Sequence, residues 1–207
     1  MGVVTVSRQY GAGGLRVAPT IAKALDFSLV DRGLAEEAAR RLGIDPQSVR
    51  DRDERAPAIV EEVGLALAAA SPEMGLPPAL ELDDRSLAEA TRRVILSLAA
   101  TGGYVILGRG SQAVLANRPD ACLISLVGDL PDRVARIVRS QAIDERTAAA
   151  RCARVDGERA RYVKRYYGAD IRDPLLYDCV LNTSRLGLDE AAAAAITVAR
   201  SKLSAAS

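Results

Sequence analysis

The chain begins Val3-Val-Thr-Val6 and runs directly into Ser7-Arg-Gln-Tyr-Gly-Ala-Gly-Gly14. The first four residues are a short β-branched run with no polar alternation, the pattern of a buried strand. The next eight hold three glycines, which let a backbone turn sharply and approach a ligand closely. Leu15, Ala18, Ile21, Ala22 and Leu25 then recur at three- and four-residue spacings, one apolar face of a helix. Strand, glycine loop and helix in this order make a phosphate cradle by geometry: backbone N–H groups gather at a helix N-terminus, where the dipole favours negative charge.

The same alternation continues along the chain. Phe27–Val30, Tyr104–Leu107, Cys122–Val127 and Tyr177–Leu181 read as further strands. Helical segments read over Leu34–Leu42, a stripe with Leu87, Val94, Ile95 and Leu98, Pro131–Ser140, Asp144–Arg154 and Asp189–Leu203. Strands that are continuous apolar runs, separated by helices, imply a parallel sheet covered on both faces. In such a sheet ligands bind beyond the carboxyl ends of the strands.

Composition narrows the chemistry. The 207 residues carry 28 Lys plus Arg against 27 Asp plus Glu, a net charge of +1, which excludes a basic nucleic-acid coat. Histidine is absent, so His-dependent triads, His-ligated zinc and His general bases are excluded. Cys122, Cys152 and Cys179 are scattered and odd in number, the pattern of buried reduced thiols and not of a disulfide framework. No apolar run approaches the roughly 18 residues of a membrane span, and Met1–Ser7 lacks the regions of a signal peptide. The expectation is a cytoplasmic protein that engages neither nucleic acid nor membrane. The apolar stretch Val63–Ala70 reads either as ordinary core helix or as the face of a homodimer.

Further charge-bearing segments fall where the sheet would present a ligand. Gly108-Arg109-Gly110-Ser111 follows the third strand, where an arginine either reaches a phosphate bidentately or is a surface residue of a turn. Arg151, Arg154, Arg159, Arg161 and Arg165 crowd about 15 residues, either as a solvated helix face or as a lid that closes on phosphate. Asp156 is placed to pair with Arg159 or Arg161.

These segments together resemble the cytidylate-kinase-like proteins. The resemblance is carried by residues 3–14, Val30-Asp31-Arg32, Val105–Gly110, Val155–Tyr162 with Tyr166-Tyr167-Gly168, and Tyr177–Ser184. Residues 45–82 match poorly. The resemblance implies a P-loop kinase-like three-layer α/β sandwich: one domain over 1–207 with a parallel five-stranded sheet, a helical acceptor-side region at 34–82 and an arginine-rich lid at 141–167. It implies ATP with Mg2+ as donor and a nucleoside monophosphate, CMP- or dCMP-like, as acceptor. Gly11, Ala12, Gly13 and Gly14 would hold donor phosphates. Asp31, Arg32 and Arg109 would lie at the acceptor. Arg159, Arg161 and Arg165 would contact the transferring group, with Asp156 organising them, and Asp31 and Asp129 would reach magnesium through water.

One departure bears on activity. A phosphate loop closes with Gly-Lys-[Ser/Thr], its lysine on the β/γ-phosphates and its hydroxyl on magnesium. Here the corresponding stretch is Gly13-Gly14-Leu15: the lysine position is Gly14, and the hydroxyl positions that follow are Leu15 and Arg16. Arg8 or Arg16 is the expected substitute charge. The alternatives are a nucleotide-binding or sensing protein without turnover, or a kinase for another small phosphate acceptor.

Overall fold

In a computed structural model of the chain, residues 2–31 and 84–205 are described. The chain divides into two compact units, residues 1–31 with 95–207, and residues 32–94. The sheet and its loops belong to the first. Arg32, Val63–Ala70 and the expected acceptor-side region 34–82 lie outside the described residues.

Five strands form one sheet: β1 (Val3–Arg8), β2 (Ser28–Val30), β3 (Tyr104–Leu107), β4 (Ala121–Val127) and β5 (Cys179–Asn182). Their order is β2-β3-β1-β4-β5 and every pairing is parallel. The expected third strand matches residue for residue. The expected fifth begins two residues late, because the Asp178 carboxylate accepts the Leu123 N–H at 2.8 Å and the Lys202 ammonium at 2.8 Å. A side chain there takes the bond that a continued strand would have offered through its carbonyl.

Among the described residues the helices are α1 (Gly14–Leu25), α2 (Asp84–Thr101), α3 (Ser111–Val114), α4 (Leu130–Gln141), α5 (Glu145–Tyr167), α6 (Thr183–Leu186) and α7 (Leu188–Ala205). A 3-10 turn covers Pro174–Leu176. On one sheet face Val4, Val6, Leu107, Ile124 and Leu126 pack with Val17, Ala18 and Ile21 of α1 and with Ala192, Ala195 and Ala199 of α7. The alanine stripe lets α7 sit close to its neighbours. Val3, Thr5 and Ser7, the alternate side chains of β1, are also buried, so the central strand is covered on both sides. Among the described residues, no helix is long and apolar enough to cross a membrane.

The expected lid segment 141–167 is helical throughout its second part. Asp144 caps α5 by accepting the Thr147 N–H at 2.9 Å, and the helix then runs 23 residues without a break at Gly157, ending at Gly168. Sequence reading stops that helix at Arg154. Cys152, Asp156, Arg159 and Val163 fall on one face of it, at spacings of four, three and four.

Candidate functional site

The glycine loop is Gln9–Gly13, between the last residue of β1 and the first of α1. Gly11 and Gly13 take left-handed backbone angles, φ 79° and 86°, which favour glycine at both positions. Several loop groups are already used: Gln9 N–H donates to the Leu126 carbonyl and Ala12 N–H to the Gln9 carbonyl. Among the described residues, nothing accepts from the N–H groups of Gly11, Gly13, Gly14 or Leu15. They remain as a set of donors at the N-terminus of a 12-residue helix.

A buried ion pair holds this loop. Arg133 of α4 and Asp156 of α5 meet at 2.7 Å, their side chains 9% and 22% exposed. The other Asp156 oxygen accepts the Tyr10 N–H at 2.7 Å, while Arg133 donates to the Tyr10 carbonyl at 3.1 Å and the Gly128 carbonyl at 2.9 Å. Arg136 adds bonds to the Gly11 carbonyl and to Thr183. Gln9 Oε1 in turn accepts the Gly128 N–H at 3.0 Å. Asp156 therefore grips the loop through Arg133, and the expected pairing with Arg159 or Arg161 is replaced by this one. Charge from Asp156 still reaches Arg159.

Arg159 lies one helical turn on, on the same face. It donates to the Arg8 carbonyl at 2.9 Å, and its guanidinium sits 5.8 Å from the centre of the Tyr10 ring. Burial pulls its pKa below the usual arginine range. Asp156, Tyr10 and Asp31 oppose that shift, and Arg109 adds repulsion. Arg109 occupies the turn after β3, where Gly108, Arg109 and Gly110 have φ 80°, 58° and 71°. Three successive left-handed residues are costly for the non-glycine one, about 1–2 kcal/mol, a strain that tends to collect where function requires it. The Tyr167 ring packs against Gly110, and the Tyr167 and Tyr162 hydroxyls meet at 3.2 Å. Arg8, Arg109 and Arg159 thus gather beyond the carboxyl edge of β1 and β3, beside the unengaged loop amides.

Other expected site residues are placed elsewhere. Arg161 is exposed, about 200° around the helix from Arg159, and Arg165 is exposed, about 180° from Asp156 and 5.5 Å from the Tyr166 ring centre. Helical geometry separates them from the loop-facing stripe. Arg16 points outward to Asp189 at 3.1 Å, with 67% of its side chain exposed. Asp31 follows β2 and Asp129 follows β4, on strands three positions apart in the sheet, roughly 14 Å. Asp129 is exposed, and its N–H is held by Ser184.

No side chains among the described residues assemble a site that would hold a metal ion directly. Among the described residues no three acidic, Cys or His side chains cluster, and Leu15, 70% exposed, stands where a loop hydroxyl would bind magnesium. Sequence reading also missed Arg133, Arg136 and Tyr10 as loop-holding residues. The available signal was a charged residue inside an apolar stripe: Arg133 neighbours Val134 and Ile137 on α4.

The chain is similar to known proteins over most of its length. The model of the cytidylate kinase-like family matches residues 3–185. A cytidylate kinase from Pyrobaculum aerophilum is 29% identical over 193 residues, covering 92% of this chain and 89% of that protein. Among solved structures, an uncharacterized protein from Eubacterium ventriosum superposes with a TM-score of 0.71 at 19% identity, over 97% of this chain and 99% of its own. A gluconokinase from Sinorhizobium meliloti gives 0.55 at 13% identity, over 99% and 95%. The parallel sheet in the order β2-β3-β1-β4-β5, the glycine loop after its central strand and a sequence match over most of the chain have one common explanation: the chain belongs to the cytidylate kinase-like family.

Proposed function

We propose that the protein is a phosphotransferase that moves the γ-phosphoryl group of ATP to a nucleoside monophosphate of the CMP or dCMP type. The observation that carries this reading is the convergence of Arg8, Arg109 and Arg159 beside loop amides that no described group accepts from. That is a site for two anionic phosphates. The pyrimidine acceptor rests on family membership and on the name of the Pyrobaculum relative.

The amides of Gly11, Gly13, Gly14 and Leu15 would hold donor phosphates, with Ala12 shaping the loop. Arg109 would hold the acceptor phosphate beside Asp31. Arg159 would face the group in transfer, where a preorganised charge in a water-poor site acts most strongly. The acceptor phosphate is already anionic, so the reaction needs no general base, and the lack of histidine is no obstacle. Magnesium bound to the nucleotide would neutralise its phosphates.

A second reading is favoured by Gly14 and Leu15: with neither the loop lysine nor its hydroxyl, the protein binds nucleotide without turnover. Product analysis separates the two. The purified protein is incubated with ATP, magnesium and each of CMP, dCMP, UMP, AMP and GMP, and the nucleotides are resolved by ion exchange. Diphosphate formed with one acceptor, and lost in Arg109→Ala, is the expected result. No product with any of the five refutes the proposed activity.

A further inference from the structure

Gly14 has no backbone reason to be glycine. Gly11 and Gly13 have positive φ, but Gly14 does not and lies in the first turn of α1, where glycine is a destabilising choice. What its missing side chain leaves room for is Arg8. A Cβ on residue 14 would come within 2.9 Å of Arg8 Cγ, 3.3 Å of Cδ and 3.4 Å of Cβ. The whole stem of Arg8 therefore lies across the position from which a loop lysine would extend.

The other end of the same side chain meets a second glycine. A Cβ on Gly108 would run into Arg8 Nη1 and lie 3.1 Å from Cζ. Gly108 opens the turn that carries Arg109, and the Arg8 carbonyl accepts from Arg159. Arg8 thus begins at the end of β1, passes over the phosphate loop and delivers its guanidinium to the turn after β3. Arg16, the other candidate for the missing lysine's charge, is directed away to Asp189.

We propose that Arg8 supplies, from the strand side of the loop, the phosphate-binding charge that a loop lysine supplies from the helix side, and that Gly14 is the space this exchange requires. The inference rests on the reading that the loop holds polyphosphate. It adds a geometric consequence: a lysine is a point charge, whereas a guanidinium presents a planar fork of donors. Lying between the glycine loop and the Arg109 turn, that fork is suited to oxygens on donor and acceptor at once.

The test is calorimetric titration with ATP and, separately, with inorganic tripolyphosphate, which has no base to bind. The proteins are the wild type, Arg8→Ala, Gly14→Ala, Gly14→Lys and the double variant Arg8→Ala/Gly14→Lys, with thermal unfolding of each as a folding control. Arg8→Ala is expected to weaken both ligands roughly ten- to a hundredfold, the range for a hydrogen bond to a charged group. Gly14→Ala, which removes no charge, is expected to weaken both as well, because its Cβ displaces the Arg8 stem. Gly14→Lys alone is expected to bind no better than Gly14→Ala, and the double variant to recover to within about tenfold of wild type. Should Arg8→Ala misfold, Gly14→Ala against the double variant carries the comparison.

Arg8→Ala binding within twofold of wild type would overturn the proposal, and so would Gly14→Lys binding more tightly than wild type while Arg8 is present. Tight binding that depends on Arg8, in a protein that forms no diphosphate, supports this inference and refutes the proposed activity. A wild type that binds neither ATP nor tripolyphosphate overturns both.

Discussion

Replacing Asp156 by alanine removes the acceptor that ties α5 and α4 to the glycine loop. Two bonds of 2.7 Å are lost, one from Arg133 and one from the Tyr10 N–H. Breaking a buried ion pair by deleting one partner costs about 3–5 kcal/mol when the remaining charge is orphaned. Arg133 is not orphaned, since the Gly128 and Tyr10 carbonyls still accept from it, and Asp156 is 22% exposed. That lowers the ionic part to about 2 kcal/mol, and the stranded Tyr10 amide adds about 1 kcal/mol. A total near 3 kcal/mol corresponds to a fall in Tm of about 6–12 °C for a chain of this size. Asp156→Asn keeps an acceptor for Tyr10 and loses the charge, so about half the effect is expected. The assay is urea unfolding followed by far-UV circular dichroism, with Arg133→Ala and the double variant completing a cycle. Additive effects of Asp156→Ala and Arg133→Ala, with no coupling within about 0.5 kcal/mol, would refute the argument.

Other outcomes follow from the same geometry. Arg161→Ala and Arg165→Ala should each change stability by no more than about 0.5 kcal/mol and diphosphate formation by no more than about twofold, because both face away from the loop. A large loss of kcat in either would show that α5 rearranges when ligand binds. Gly110→Ala forces a side chain to φ 71° and into the Tyr167 ring, and should cost at least about 2 kcal/mol, read as a Tm lowered by about 4–8 °C. Burial, aided by the charge of Asp178, pushes the Cys122 thiol up to about 12, from the ordinary thiol range near 9.0. The folded state then keeps a proton that the unfolded chain releases. The contribution is intact below about pH 9 and is lost as pH rises from about 9 to 12. Over pH 9–11, Cys122→Ala should lose about 1.4 kcal/mol less stability per pH unit than wild type, measured by urea unfolding.

Much of this was legible because one residue pattern implies one environment. Val3–Val6 and Tyr104–Leu107 are β-branched or apolar without interruption, which only strands buried on both faces tolerate, and the parallel sheet follows. The glycine loop and Arg109 were legible because glycines at strand ends have few other uses. The start of β5 was not, since it depends on Asp178 finding Leu123 and Lys202, 55 and 24 residues away. The arginines of α5 were legible as a group but not individually. Crowding in sequence says nothing about which of Arg159 and Arg161 faces inward until the phase of the helix is fixed. Ala148, Cys152 and Val163, the buried residues of that helix, set the phase, and Asp156 and Arg159 share it. Arg133 was passed over because an arginine next to Val134 and Ile137 looks like an ordinary amphipathic edge until its partner, 23 residues on, is in view.

The unbroken course of α5 removes a degree of freedom. Asp156 and Arg159 stand about 4.5 Å apart along one rigid axis, so the anchor of the loop and the cation beside it share a single coordinate. Any tilt or slide that loosens the Tyr10 amide also withdraws Arg159 from the Arg8 carbonyl. Loss of the Asp156 hold on the Tyr10 amide and withdrawal of the Arg159 charge are therefore coupled through one helix.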